Sequence, residues 1–129
     1  MGQRFLIDTN IVIGIMNNDI PQRNTPKLIK IINDEFINST VVKIETLGFH
    51  SITPIEKIKT EHFLSNAKVI YVNETIEGKA IEIRQKKKMK LGDSIIAATA
   101  LIHDLTIVTR NESDFYGLGL IIYNPFDTK

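Results

Sequence analysis

Apolar positions along the chain fall into short continuous runs, separated by longer segments in which they recur at helical spacing. "RFLID" (4–8) predicts a short strand, and "NIVIGIMNN" (10–18) a helix despite its β-branched residues. "NNDIPQRNTP" (17–26), with its prolines and repeated Asn, predicts a loop. In "KLIKIINDEF" the residues Leu28, Ile31, Ile32 and Phe36 share a helical face, and Thr25 followed by Pro26 predicts a capped start. "STVVKIETLGF" (39–49) reads as a β-branched strand that gives way to a short helix at Glu45. "TPIEKIKTEHFLSN" (53–66) carries the best-marked helix start, with Thr53 as cap, Pro54 in the first helical position and Glu56 closing a capping box. Beyond it the pattern predicts a strand in "AKVIYV" (67–72) and a helix in "ETIEGKAIEIRQKKKMK" (74–90). A nearly all-apolar helix follows in "LGDSIIAATALIHD" (91–104), then a strand in "TIVT" (106–109), a turn in "RNESDF" (110–115) and a last strand in "LIIYNP" (120–125).

Strands thus alternate with helices, and most strands lack polar alternation, as expected when both faces of a sheet are covered. The expected fold is α/β, a parallel sheet sandwiched between helices, in one domain over residues 1–129 without repeats or linkers. In such sheets ligands bind beyond the carboxyl ends of the strands.

Composition narrows the chemistry. A chain of 129 residues that is 43% hydrophobic can bury a core without staples. It has no cysteine, which excludes disulfides, thiolate metal sites and cysteine nucleophiles and suits a reducing cytoplasm. No signal peptide and no apolar run of about 18 residues is present, so a soluble, unprocessed protein is expected. The net charge of +1 argues neither for nor against a polyanionic partner.

Four acids stand where an apolar element stops or a helix starts: Asp8, Glu45, Asp93 and Asp114. Singly, each has an ordinary reading as a helix cap, a dipole partner or a solvated loop acid. Together, at one sheet edge, they would repel one another and call for a cation. Oxygen ligands without Cys or well-spaced His favour a hard ion, Mg²⁺ or Mn²⁺, and such sites suit phosphodiester hydrolysis.

"LIDTN", "IETLGF", "LGDSIIAATAL" and "TRNESDF", in this order and followed by a strand ending in "NPF", resemble the motifs of PIN-domain ribonucleases. The likeness is closest to the VapC-type toxins of bacterial and archaeal toxin–antitoxin systems, and it spans essentially the whole chain. The resemblance implies a PIN-like fold and Mg²⁺- or Mn²⁺-dependent endonucleolytic cleavage of RNA. It assigns Asp8, Glu45, Asp93 and Asp114 to the catalytic metal site, with Thr9, Asn10, Thr109 and Asn111 supporting the carboxylates or the substrate. It also implies a homodimer and an antitoxin whose C-terminal segment covers the cleft. Gly92 and Ser94 depart from the proline and alanine common around the third aspartate; glycine would loosen that corner, and the Ser94 hydroxyl could compete for capping.

Arg84, Lys86, Lys87, Lys88 and Lys90 precede Asp93 and read either as a solvated helix end or as a strip tracking an RNA backbone. Arg110 is a candidate phosphate contact or an ion-pair partner of Glu112 or Asp114. Phe5, Phe36, Phe49, Phe63 and Phe115 are expected in the core, and His50, His62 and His103 lack metal-ligand spacing. Leu28, Ile31, Ile32, Leu47, Phe49, Ile55, Ile58 and Phe63 exceed what one sheet face needs, which leaves some for a dimer or partner surface. Two other readings compete with the nuclease. One is a catalytically silent PIN-fold module that binds RNA or protein. The other is phosphoryl transfer through Asp8, for which Asn10 stands where a second aspartate would be wanted.

Overall fold

The computed structural model describes residues 2–127. Five short strands, β1 (Phe5–Ile7), β2 (Ile37–Ser39), β3 (Lys68–Ile70), β4 (Thr106–Val108) and β5 (Ile122–Tyr123), alternate with six helices among the described residues. The helices are α1 (Thr9–Met16), α2 (Thr25–Asp34), α3 (Thr40–Leu47), α4 (Pro54–Leu64), α5 (Glu74–Lys86) and α6 (Leu91–His103), with 3-10 turns at Gln22–Asn24 and Glu112–Phe115. Every ladder is parallel, so successive strands must be joined by crossovers. The strands form two hydrogen-bonded strips, β1-β4-β5 and β2-β3, and β1 packs beside β2 where the strips meet. The expected α/β class with a parallel sheet is therefore observed.

Register sets the site. Ile7 lies opposite Val108, so Asp8 and Thr109 leave the sheet side by side. Leu6, Ile7, Ile107 and Val108 are fully buried, which explains why these strands show no polar alternation. Helix α6 adds Ile96, Ala97, Ala98 and Ala100 to the core, and its small side chains allow close packing against Ala80 and Ile83 of α5.

The capping box of α4 is present as expected. Thr53 Oγ1 accepts from the Glu56 N–H at 3.1 Å, and Glu56 Oε1 accepts from the Thr53 N–H at 2.9 Å. Several expectations need correction. Thr25 does not cap α2; it lies in the first turn, and its hydroxyl donates to the Pro21 carbonyl at 3.2 Å. The cap position falls to Asn24, whose amide reaches the carbonyls of Pro125 (2.7 Å) and Asp127 (2.9 Å) and ties the C-terminal segment to α2. Thr40, Val41 and Val42 are helical rather than extended, because Ser39 ends β2 and caps α3 through the Val42 N–H. Tertiary contact then overrides propensity, with Val42 fully buried. The helix expected to run to Lys90 ends at Lys86. Phe36 and Phe115 are buried, but Phe49 is 41% exposed and is not a core residue.

Candidate functional site

Asp8 follows β1 directly and is only 4% exposed. Its extended backbone makes it the N-cap of α1, with Oδ1 accepting from the Thr9 N–H at 2.8 Å. The second oxygen, Oδ2, accepts from the Thr109 hydroxyl at 2.8 Å and the Asn10 amide at 3.2 Å. Asn10 also donates to Thr109 Oγ1 at 3.2 Å, and its carbonyl accepts from the Arg110 N–H at 2.9 Å. The Asn111 backbone N–H completes the lattice on Thr109 Oγ1 at 3.2 Å. Asp8, Asn10, Thr109 and the Asn111 backbone therefore lock the end of β1 to the segment after β4. Asn10 is wholly occupied in this role, and as an amide it cannot supply the second acid that an aspartyl-phosphate enzyme needs.

Glu45 lies in the second half of α3, not at its start, and is exposed. Thr9 donates its hydroxyl to Glu45 Oε1 at 2.7 Å, joining α1 to α3 across the cleft. Gly92, in the first turn of α6, approaches the same carboxylate. A Cβ there would lie 3.6 Å from Glu45 Oε2 and 3.2 Å from Val41 Cγ1, so the glycine serves close approach. Asp93 sits beside it, half-buried in the first turn of α6. It is not the cap of that helix, since the cap position is Lys90. Ser94 does not compete for capping either: its buried hydroxyl donates to the Leu91 carbonyl at 2.6 Å. Asp114 is carried by the 3-10 turn Glu112–Phe115, anchored by the buried ring of Phe115.

The four acids share an electrostatic environment. Asp8 is pushed up from 3.8 to about 6, chiefly by burial and with a smaller push from the charges of Asp93 and Glu45, against the pull of the Thr109 and Thr9 hydrogen bonds. Asp93 is raised by burial and then by Asp114 and Glu45, while Lys90 pulls it down. Among the described residues no three acidic or histidine side chains close into a ligand shell for one ion. Glu45 is the exposed member of the group. The group's donor set nonetheless suits a hard cation, since the oxygens are all carboxylate and each charge raises the cost of ionising the next.

The basic segment divides. Arg84, Lys86 and Lys88 are exposed and, with Ile81, Gln85 and Met89, line an open hollow of about 600 Å³ that Lys87 also borders. Lys86 lies 3.5 Å from Glu82. Lys87 turns inward instead, and its ammonium donates to the carbonyls of Ser113 (3.3 Å) and Tyr116 (2.7 Å). Arg110 does not pair with Glu112 or Asp114. Its guanidinium lies over the Phe126 ring at 4.5 Å, and Glu112 accepts from the Asn124 amide at 3.0 Å. Sequence reasoning missed Phe126 and the inward turn of Lys87; neither spacing nor composition marks a long-range contact of this kind.

The surplus apolar residues also divide. Leu28 and Ile31 are buried, and Ile32, Leu47 and Phe63 pack against the core. Phe49, Ile55 and Ile58 remain exposed, and Phe49 lines a hollow of about 420 Å³ with Val12, Ile13, Met16 and Thr46.

Fold and site together define an α/β domain in which parallel β1 ends on a buried carboxylate that feels the charges of Glu45 and Asp93. The PIN domain family model matches residues 5–119, and the chain belongs to the PIN-domain family. Among solved structures it is similar to a chain of a toxin–antitoxin complex from Klebsiella pneumoniae, at 28% identity and a TM-score of 0.78, covering 95% of this chain and 98% of that one. It is similar to a chain of FitAcB from Neisseria gonorrhoeae at 25% identity and a TM-score of 0.77, with coverage of 95% and 98%. VapBC2 from Rickettsia felis, bound to a DNA fragment from their promoter, shares the fold at 21% identity and a TM-score of 0.81, again over 95% and 98%. No curated protein matches the chain. The VapC-type resemblance carried by the four motifs agrees with these neighbours. No helix among the described residues is long and apolar enough to cross a membrane.

Proposed function

We propose that the chain is the toxin of a toxin–antitoxin pair and acts as an Mg²⁺- or Mn²⁺-dependent endoribonuclease. The observation that carries this reading is Asp8. A carboxylate 4% exposed at a strand end, held by three hydrogen bonds and pushed up first by burial and then by Asp93 and Glu45, is costly for a cap alone. Asp8, Glu45, Asp93 and Asp114 would hold the ion, which when bound supplies charge for the phosphoryl group and acidifies a water. The chain's own part is to fix the oxygens in place. Thr9 aims Glu45, Thr109 and Asn10 aim Asp8, and Gly92 leaves room for Glu45 beside Asp93. Arg84, Lys86, Lys88 and Lys90 would follow the RNA backbone toward the cleft, adding affinity without sequence choice. Arg110, on its aromatic support, would hold a phosphate at the rim.

The antitoxin reading draws on the toxin–antitoxin complex of the Klebsiella relative and on exposed apolar surface at Ile44, Phe49, Ile55 and Ile58. A second copy of the chain is the other expected occupant of such surface, as a homodimer. The silent binding module keeps one supporting observation, the open spacing of the acids.

The deciding experiment incubates purified, antitoxin-free protein with pooled structured cellular RNA and Mg²⁺ or Mn²⁺. Asp8→Asn and Asp93→Asn are each expected to lower cleavage at least 100-fold, in line with loss of a metal's contribution, and EDTA to abolish it. Wild-type protein that binds RNA and Mn²⁺ but cuts no RNA of the pool would favour the silent module.

A further inference from the structure

Lys87 departs from the cations around it. Arg84, Lys86, Lys88 and Lys90 are exposed, whereas Lys87 is half-buried, and its side chain runs from the end of α5 to the turn Glu112–Phe115. The two carbonyls it meets, Ser113 at 3.3 Å and Tyr116 at 2.7 Å, bracket Asp114. Two of the backbone bonds around that turn are long. The Asp114 N–H reaches the Asn111 carbonyl at 3.2 Å and the Tyr116 N–H reaches the Ser113 carbonyl at 3.4 Å. Gly117, with φ of +81°, follows at once and offers a swivel rather than a brace. On the apolar side Phe115 fixes the turn in the core; on the polar side Glu112 accepts from the Asn124 amide at its start, and the Lys87 ammonium attaches its end through charge-assisted bonds stronger than amide ones.

We propose that Lys87 is a positioning residue, which clamps the Asp114 turn to the end of α5 so that Asp114 faces Asp93. The proposal rests on the reading of Asp114 as a member of the metal site. It removes Lys87 from the RNA-tracking strip and gives it a different task. It also links the strip to the acids, because the segment that carries Arg84 and Lys88 is the one that holds Asp114.

The test compares Lys87→Met, which keeps the stem and loses the donors, with Lys87→Arg, which keeps them. Three readouts are needed: amide hydrogen exchange over residues 112–116 without metal or RNA, Mn²⁺ affinity by calorimetry, and kcat against KM for RNA cleavage. Lys87→Met is expected to speed exchange across the turn, weaken Mn²⁺ about tenfold, as for loss of a hydrogen bond to a charged group, and lower kcat more than it raises KM. Lys87→Arg should restore most of each. In the Asp114→Asn background, Lys87→Met should add little. Unchanged exchange in Lys87→Met, or a loss of Mn²⁺ affinity that adds in full to that of Asp114→Asn, would overturn the clamp. So would faster exchange with Mn²⁺ affinity intact. A wild-type protein that takes up no Mn²⁺ overturns the metal reading instead, and the exchange rates still decide whether Lys87 holds the turn.

Discussion

Asp8 shows how one residue can satisfy two readings of a sequence. "LIDTN" fits a helix cap and a strand-end ligand equally well, and the side chain divides the work: one oxygen caps α1 while the other receives Thr109 and Asn10. Burial has a measurable price in pH. With its pKa raised from 3.8 to about 6, Asp8 keeps its proton in the folded, metal-free protein after the unfolded chain has released it. Its contribution to stability is therefore full below pH 3.8 and lost as the pH rises to about 6, by roughly 3 kcal/mol at 1.36 kcal/mol per pH unit. Urea melts in EDTA between pH 4 and 7 should show this slope in wild type and a shallower one in Asp8→Asn, where the raised Asp93 remains, so that the difference between the two grows with pH. A parallel pair of curves would mean that Asp8 ionises at its ordinary value.

At the scale of elements, what the sequence marks locally is where it reads best. Thr53, Pro54 and Glu56 announce α4, and hydrogen bonds hold Glu56 below the usual carboxylate range. Thr53→Ala should lower stability by about 1 kcal/mol and leave the cleft untouched, which urea melts and RNA cleavage would check together. The misread stretch, Thr40–Val42, has the opposite character. β-Branched residues favour strand by propensity, but Ser39 caps a helix there and the buried face of α3 holds it. That misreading moved the helix start without moving Glu45 out of the cleft, because a strand end and a helix just beyond it open on the same edge. Lys87 and Arg110 were legible as charges and not as geometry, since their partners lie far along the chain at Ser113, Tyr116 and Phe126.

For the whole molecule, the placement of charge matters more than its sum. A net charge of +1 conceals a basic hollow at the end of α5 and a group of acids that raise one another's pKa around Asp8 and Asp93. Binding of a labelled single-stranded RNA, measured without divalent ions across a salt series, should lose about 0.7 from its log–log slope for each of Arg84→Met and Lys88→Met. Lys87→Met should leave the slope unchanged. The parallel architecture was legible because it follows from the order of elements, whereas the split into two strips was not, since sequence does not show where a ladder is interrupted. Asp8 and Thr109 belong to the strip of β1, β4 and β5, while Glu45 extends from the strip of β2 and β3. The Thr9–Glu45 hydrogen bond spans that seam at 2.7 Å. In mechanical terms that bond is a rivet through two plates: it holds the strips together without an ion, and Thr9→Val would leave the joint to the packing of β1 on β2.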